Sequence, residues 1–353
     1  MGENGAMTFH PIRFAAACIL SALLAFSFQS GVGLAAENAV ACTGADMRPE
    51  LEREKPGSLE AIREAAARTP NGDARLWRIE TAEGAVSHLY GTMHVSNPDV
   101  VRLGPKAQAA YDDAKIVVIE TTDVLDEQKA AASLWAKPEL MVFTDGTSLL
   151  DHMDDEEERV LDEALRERGM TLSAMKTIKP WILAGSLSLP ACELGTARQN
   201  FLDIRLARDA QDEGREIAGL ETALEQIEAI AGLPLDFHVD SLVDSARLGD
   251  LQDDVFATIG ALYAEGRIGE IWPFLMVASE SLGGEIEAAD EAALAGFNEA
   301  VITRRNYTMA ERAAPIIENG GAFIAVGALH IPGEEGVVEL LRERGYDVER
   351  VAP

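Results

Sequence analysis

The chain has 353 residues, 47% of them hydrophobic, and a formal net charge of −30 with a pI near 4.5. That is ample material for a large core, carried on a surface that repels phosphates and so excludes nucleic acid and anionic membrane surfaces as partners. No low-complexity tract or short repeat suggests disorder or a solenoid.

In chain order, Arg13 precedes an uncharged stretch from Phe14 through Ala36, with an apolar core over 14–28 and small residues at Leu34-Ala35-Ala36. This pattern predicts a secretory signal over residues 1–36, which leaves 37–353 as one mature domain in the periplasm or outside the cell. An uncleaved inner-membrane anchor is the alternative and the only expected membrane contact, but the core is shorter than the roughly 20 residues a span needs. With Cys18 lost, Cys42 and Cys192 remain as an even pair in an oxidising compartment, and a disulfide is expected. Residues 50–68 read as a lead-in helix broken at Pro56-Gly57. Residues 74–81 and 85–90 then read as strands joined by a turn at Glu83-Gly84.

Two stretches carry the chemistry. His88-Leu89-Tyr90-Gly91-Thr92-Met93-His94 ends a strand in Gly-x-x-His, followed by a turn, a helix over 105–113 and a strand closing at Glu120. Phe323-Ile324-Ala325-Val326-Gly327-Ala328-Leu329-His330 repeats that order before a helix to Arg344 and a strand over 345–351. Chance spacing alone predicts about half an occurrence of Gly-x-x-His, so the repeated strand, turn, histidine and helix context is the stronger signal. It puts both histidines beyond the carboxyl ends of buried strands, where open α/β sheets hold ligands. Between them the chain is mostly helical, with helices over 125–135, 156–168, 180–189, 201–213, 236–265, 268–280 and 285–318. The fold class is α/β: a central mixed sheet, flanking helices and a helical insertion over about 122–318. One short strand, 216–220, interrupts that stretch and places Glu221 at its end much as Glu120 ends its own strand.

Two imidazoles with one or two carboxylates suit Zn, Mn, Co or Fe and are too poor in oxygen for a calcium cage. His94, His330, Glu120 and Glu221 are therefore candidate metal ligands. Glu221 is also a candidate general base, and Arg304 and Arg305, which stand out in a chain this acidic, offer a guanidinium that could donate to a developing oxyanion or a substrate carboxylate. Each has a plainer reading: a histidine capping a turn, a glutamate at a helix start, an arginine in a surface ion pair. His88, His152 and His238 have no ligand-like neighbours. No Gly-x-Ser-x-Gly elbow or Gly-x-Gly-x-x-Gly loop points to a serine hydrolase or a dinucleotide enzyme.

Leu89-Tyr90-Gly91-Thr92-Met93-His94, Gly219-Leu220-Glu221-Thr222 with Glu225-Gln226, Arg305-Asn306, and Val326 to Gly336 with Gly345 to Val348 together resemble the TraB/GumN family, which includes the Tiki metalloproteases and bacterial pheromone-shutdown proteins. The resemblance covers nearly the whole mature chain. It implies a fold like that of the erythromycin-esterase and ChaN-like proteins, a site of His94, Glu120, Glu221, Arg305, Asn306 and His330, and Mn or Co as the divalent metal. The expected function is an exported metal-dependent hydrolase acting on a peptide or small molecule. The alternatives are a non-catalytic periplasmic protein that binds metal, haem or peptide, and an accessory of polysaccharide export.

Overall fold

The computed structural model describes residues 42–352 apart from 99, 194–200, 250 and 282–287. The secretory signal expected over 1–36, Cys18 and the start of the helix expected at Glu285 lie outside the described residues. Six strands form one mixed sheet: β1 (Leu76–Glu80), β2 (Val86–Thr92), β3 (Ile116–Ile119), β4 (Glu216–Gly219), β5 (Ala322–Gly327) and β6 (Asp347–Arg350), in the order β4-β3-β5-β2-β1-β6. β4, β3, β5 and β2 are mutually parallel; β1 pairs antiparallel with β2, and β6, antiparallel to β1, runs in the direction of the first four. β5 lies between β3 and β2, and its residues Ala322 to Val326 are all buried, as expected of an apolar run covered on both faces. The β1–β2 hairpin turns at Gly84, whose φ of 83° favours a residue without a side chain.

The stretch between β3 and β5 is helical apart from β4. The Pro180–Leu187 helix has seven of its eight residues buried and no polar face, which makes it an internal helix packed on the Leu235–Leu248 helix. The helix expected over 236–265 is two, Leu235–Leu248 and Leu251–Ala264, divided at Gly249 where φ is 50°. The last long helix contains a π-helical stretch, Asn298–Thr303, between Ala288–Phe297 and Arg304–Ile317. Among the described residues no helix is long and apolar enough to cross a membrane.

Cys42 and Cys192 form a disulfide across 150 positions. His238 sits buried in the Leu235–Leu248 helix with Nε2 3.1 Å from the Ile230 carbonyl oxygen and no hydrogen-bond partner for Nδ1. Burial lowers its pKa from 6.5 to about 4. A depressed histidine contributes stability above its unfolded pKa, and that stability is lost as pH falls from 6.5 toward 4 because only the unfolded chain takes up the proton. The loss attributable to His238 is about 3 kcal/mol. Urea unfolding of the parent and His238→Gln at pH 7 and pH 4.5 should show the parent losing about 2 kcal/mol more, the part of that loss falling between the two pH values. Equal losses would remove His238 from the acid sensitivity.

Candidate metal centre at the sheet rim

The four parallel strands each deliver one candidate residue at their carboxyl ends. His94 follows β2, Glu120 follows β3, Glu221 follows β4, and His330 closes a 3₁₀ turn after β5. All four are buried, with exposures of 5, 6, 7 and 1%. The two glutamates are drawn together by backbone, since Leu220 and Glu221 N–H both donate to the Glu120 carbonyl, at 3.0 and 2.7 Å. The two histidines leave adjacent strands in register, with Thr92 opposite Gly327.

The glycines of the two motifs are explained by close approach. A Cβ on Gly327 would lie 3.1 Å from Glu120 Oε1 and 3.4 Å from His330 Cδ2, and the Gly327 N–H donates to Glu120 Oε1 at 2.6 Å. A Cβ on Gly91 would lie 3.1 Å from Cα of Ala328 in the other motif. Each glycine lets the rim side chains or the neighbouring turn come closer than an alanine would.

Arg305 and Asn306 enter from the first turn after the π-helical stretch, a feature that often marks functional positions in helices. The Arg305 guanidinium is buried and directed at both glutamates. Nη2 donates to Glu120 Oε2 at 2.7 Å and Glu221 Oε2 at 2.8 Å, and Nε donates to Glu221 at 3.1 Å. Its Nη1 donates to the Val301 carbonyl oxygen at 3.3 Å. Gln226 Nε2 donates to Glu120 at 3.0 Å and Glu221 at 3.4 Å. Burial pushes the Glu120 pKa up, but Arg305 foremost, then the two histidines and the Gly327 N–H, bring it down to about 2. Burial pushes Glu221 up, and Arg305 offsets this only in part. The helix after Glu221 is capped by Thr222 and Glu225, and Asp123 accepts from Ala223 N–H at 2.8 Å, so neither the cap nor Asp123 draws on Glu221.

Asn306 determines the tautomer of His330. Its Nδ2 donates to the Glu335 carbonyl oxygen at 2.8 Å, so the amide oxygen is the end that faces the ring, 2.6 Å from His330 Nδ1. A carbonyl oxygen can only accept, so Nδ1 carries the proton and Nε2 holds the lone pair. That Nε2 is buried, has no hydrogen-bond partner, and lies 4.0 Å from Glu120 Oε1. Burial first, then Arg305, lowers the His330 pKa to about 3, so the ring is neutral near pH 7. At the other histidine, His94 Nε2 lies 3.3 Å from Asp203 Oδ2, while the buried Asp203 Oδ1 has no partner. Phe201 stacks on the His94 ring at 6.0 Å.

This donor set fits a divalent transition ion. A histidine whose Nδ1–H is held by a carbonyl oxygen and whose Nε2 is left unpaired is the usual state of a metal-ligating imidazole. The 4.0 Å between His330 Nε2 and Glu120 Oε1 is within twice a metal–ligand bond of about 2.1 Å. The donors lie two and two, His330 Nε2 4.0 Å from Glu120 and His94 Nε2 3.3 Å from Asp203. Among the described residues the one group of three donor residues within 4.8 Å of one another is Cys42, Cys192 and Glu193, and its two sulfurs are already joined in the disulfide. His88, His152 and His238 lie elsewhere: in β2 opposite Arg78, stacked on Phe143, and bonded to Ile230.

All six expected site residues are therefore buried along one rim. Asp203 and Gln226 are additional members that spacing did not single out, although Gln226 stands in the family-like Glu225-Gln226 pair. Residues 75–350 match the TraB/PrgY/gumN family. Similar curated proteins include the Metalloprotease TIKI homolog of Nematostella vectensis, 26% identical over 200 residues, 49% of this chain and 40% of that protein. Metalloprotease TIKI2 of Danio rerio is 25% identical over 49% of this chain and 36% of its own length. Metalloprotease TIKI1 of Danio rerio is 23% identical over 80% of this chain and 64% of its own length. The chain thus spans between 36 and 64% of these relatives. No solved structure matches it significantly. With both Gly-x-x-His motifs, both glutamates and Arg305-Asn306 inside the matched segment, the chain belongs to the TraB/PrgY/gumN family.

Proposed function

We propose that the protein is an exported, metal-dependent hydrolase of peptide bonds. The observation that carries this is the buried, unpaired Nε2 of His330, held as a lone-pair donor by Asn306 beside an ionised Glu120. The similar proteins, all named as metalloproteases, support a protease, and the disulfide supports an oxidising compartment. His330, Glu120, His94 and Asp203 would hold the ion. When bound there, a divalent ion supplies Lewis acidity to a substrate carbonyl and makes water easier to deprotonate.

The chain's own groups do the rest. Arg305 clamps Glu120 and Glu221 and keeps both carboxylates in one orientation, so its role is to position acids. Glu221, whose proton affinity burial raises, is suited to take a proton from attacking water and pass it to the leaving amine. Asn306 keeps the His330 proton on Nδ1 throughout. The test is turnover of a mixed peptide library by the chain loaded with Mn²⁺ or Co²⁺, beside a folded His330→Ala variant. Cleavage by the parent alone is expected. A folded parent that holds the ion and cleaves nothing would make the site one of metal or ligand binding.

A further inference from the structure

The two histidines also form part of the wall of a cavity that the proton chemistry does not use. It offers about 660 Å³ of empty space, partly open to solvent, between the ends of β2 and β5 and the helices Leu251–Ala264 and Ile271–Ser281. Part of that space is open solvent, so the enclosed part is smaller than the sites that hold whole small molecules and is on the scale of a single side chain. Its wall includes Met93, Phe256, Ile259, Leu275 and Leu329. The hydroxyls that line it are already engaged inside the protein: Tyr263 donates to the Gly91 carbonyl at 2.8 Å and Thr92 to the Val326 carbonyl at 3.2 Å. A guest therefore meets apolar surface on every side except the histidine wall. The second depression at the rim mixes charged side chains such as Glu221, Arg305 and Arg312 with Ala229 and Ala300, so it offers no comparable continuous apolar wall.

We infer that this cavity seats one large apolar side chain, of leucine, methionine or phenylalanine size, from the substrate residue next to the bond that is cleaved. The position of the cleaved bond rests on the hydrolase reading above; the preference for an apolar guest does not. Because the wall that would hold the reacting centre is also the cavity wall, its occupant lies within about one residue of that centre. A side chain satisfies this, and a long acyl chain would have to extend past it. A polar side chain of similar shape would lose its water without gaining a partner.

Binding and cleavage test this separately. In the full chain with ¹³C-labelled methionine methyls, N-acetyl-leucinamide should shift the Met93 methyl signal saturably, the signal being assigned with Met93→Leu. The near-isosteric N-acetyl-asparaginamide should bind at least about tenfold more weakly, as expected for an apolar pocket. Ile259→Trp or Leu275→Trp, whichever folds, should abolish the leucinamide shift. No saturable shift in the parent, equal affinities for the two amides, or tighter binding of N-octanoylglycinamide would overturn the proposal. In the peptide library, selective binding with no cleavage would keep the cavity and remove the hydrolase. Cleavage with no apolar preference at either residue flanking the bond would keep the hydrolase and overturn the cavity.

Discussion

Arg305→Met is expected to destabilise the folded chain by about 3–5 kcal/mol, the cost of leaving buried charge without its counter-ion. Arg305 is 4% exposed and bonds two carboxylates that are themselves 6 and 7% exposed. Methionine fills similar volume but leaves Glu120 and Glu221 adjacent and uncompensated. Glu221 already has its pKa raised by burial, so it is the cheaper of the two to neutralise. Adding Glu221→Gln to Arg305→Met should therefore recover part of the loss, and Arg305→Lys should recover little because one ammonium cannot reproduce a two-sided guanidinium contact. Urea unfolding at pH 7 measures all three. A loss under about 1 kcal/mol for Arg305→Met would place the arginine among surface pairs and contradict its role as the clamp.

Removing the disulfide should have an effect of similar size. A cross-link closing a loop across 150 positions contributes about 5 kcal/mol in the chain-entropy model. The bridge also fastens two parts of the site's surroundings. Beyond Cys42, Ala45 N–H donates to Asp254 at 2.7 Å and Met47 N–H to Thr258 at 2.8 Å, which ties the segment to a helix of the apolar cavity. Beside Cys192, buried Glu193 accepts the Ser96 N–H at 2.7 Å, two residues after His94. The Cys42→Ser/Cys192→Ser variant, or the parent under reductant, should unfold roughly 10 °C lower. An unchanged midpoint would mean that the bridge restrains a segment that is already held without it.

The sequence made the strand ends legible and the partnerships between them much less so. Apolar runs ending in Gly-x-x-His, or in a glutamate before a helix, are local patterns, and each did mark the carboxyl end of a parallel strand. The place of β5 between β3 and β2 was not legible, because it depends on pairings such as Gly91 with Val326 across the whole helical stretch. Arg305 and Asn306 were reached through family resemblance. Their spacing alone does not reveal that one clamps two carboxylates and the other sets a histidine tautomer. Asp203 carried no signal, being one of 60 acidic residues, on a helix that carries two more aspartates, Asp209 and Asp212, on its exposed side. The glycines looked like turn residues, and only the packing of Glu120 and Ala328 against them gives the physical reason for their size.

The most direct test of the central claim is metal content by mass spectrometry on the chain purified without chelators, beside a folded His94→Ala/His330→Ala variant. The account predicts near-stoichiometric Mn, Co, Zn or Fe in the parent, or uptake of added Mn²⁺ or Co²⁺ to that level, with loss of both in the variant. Equal, negligible metal in the two proteins after that addition would contradict it, and the buried lone pair of His330 would need another partner.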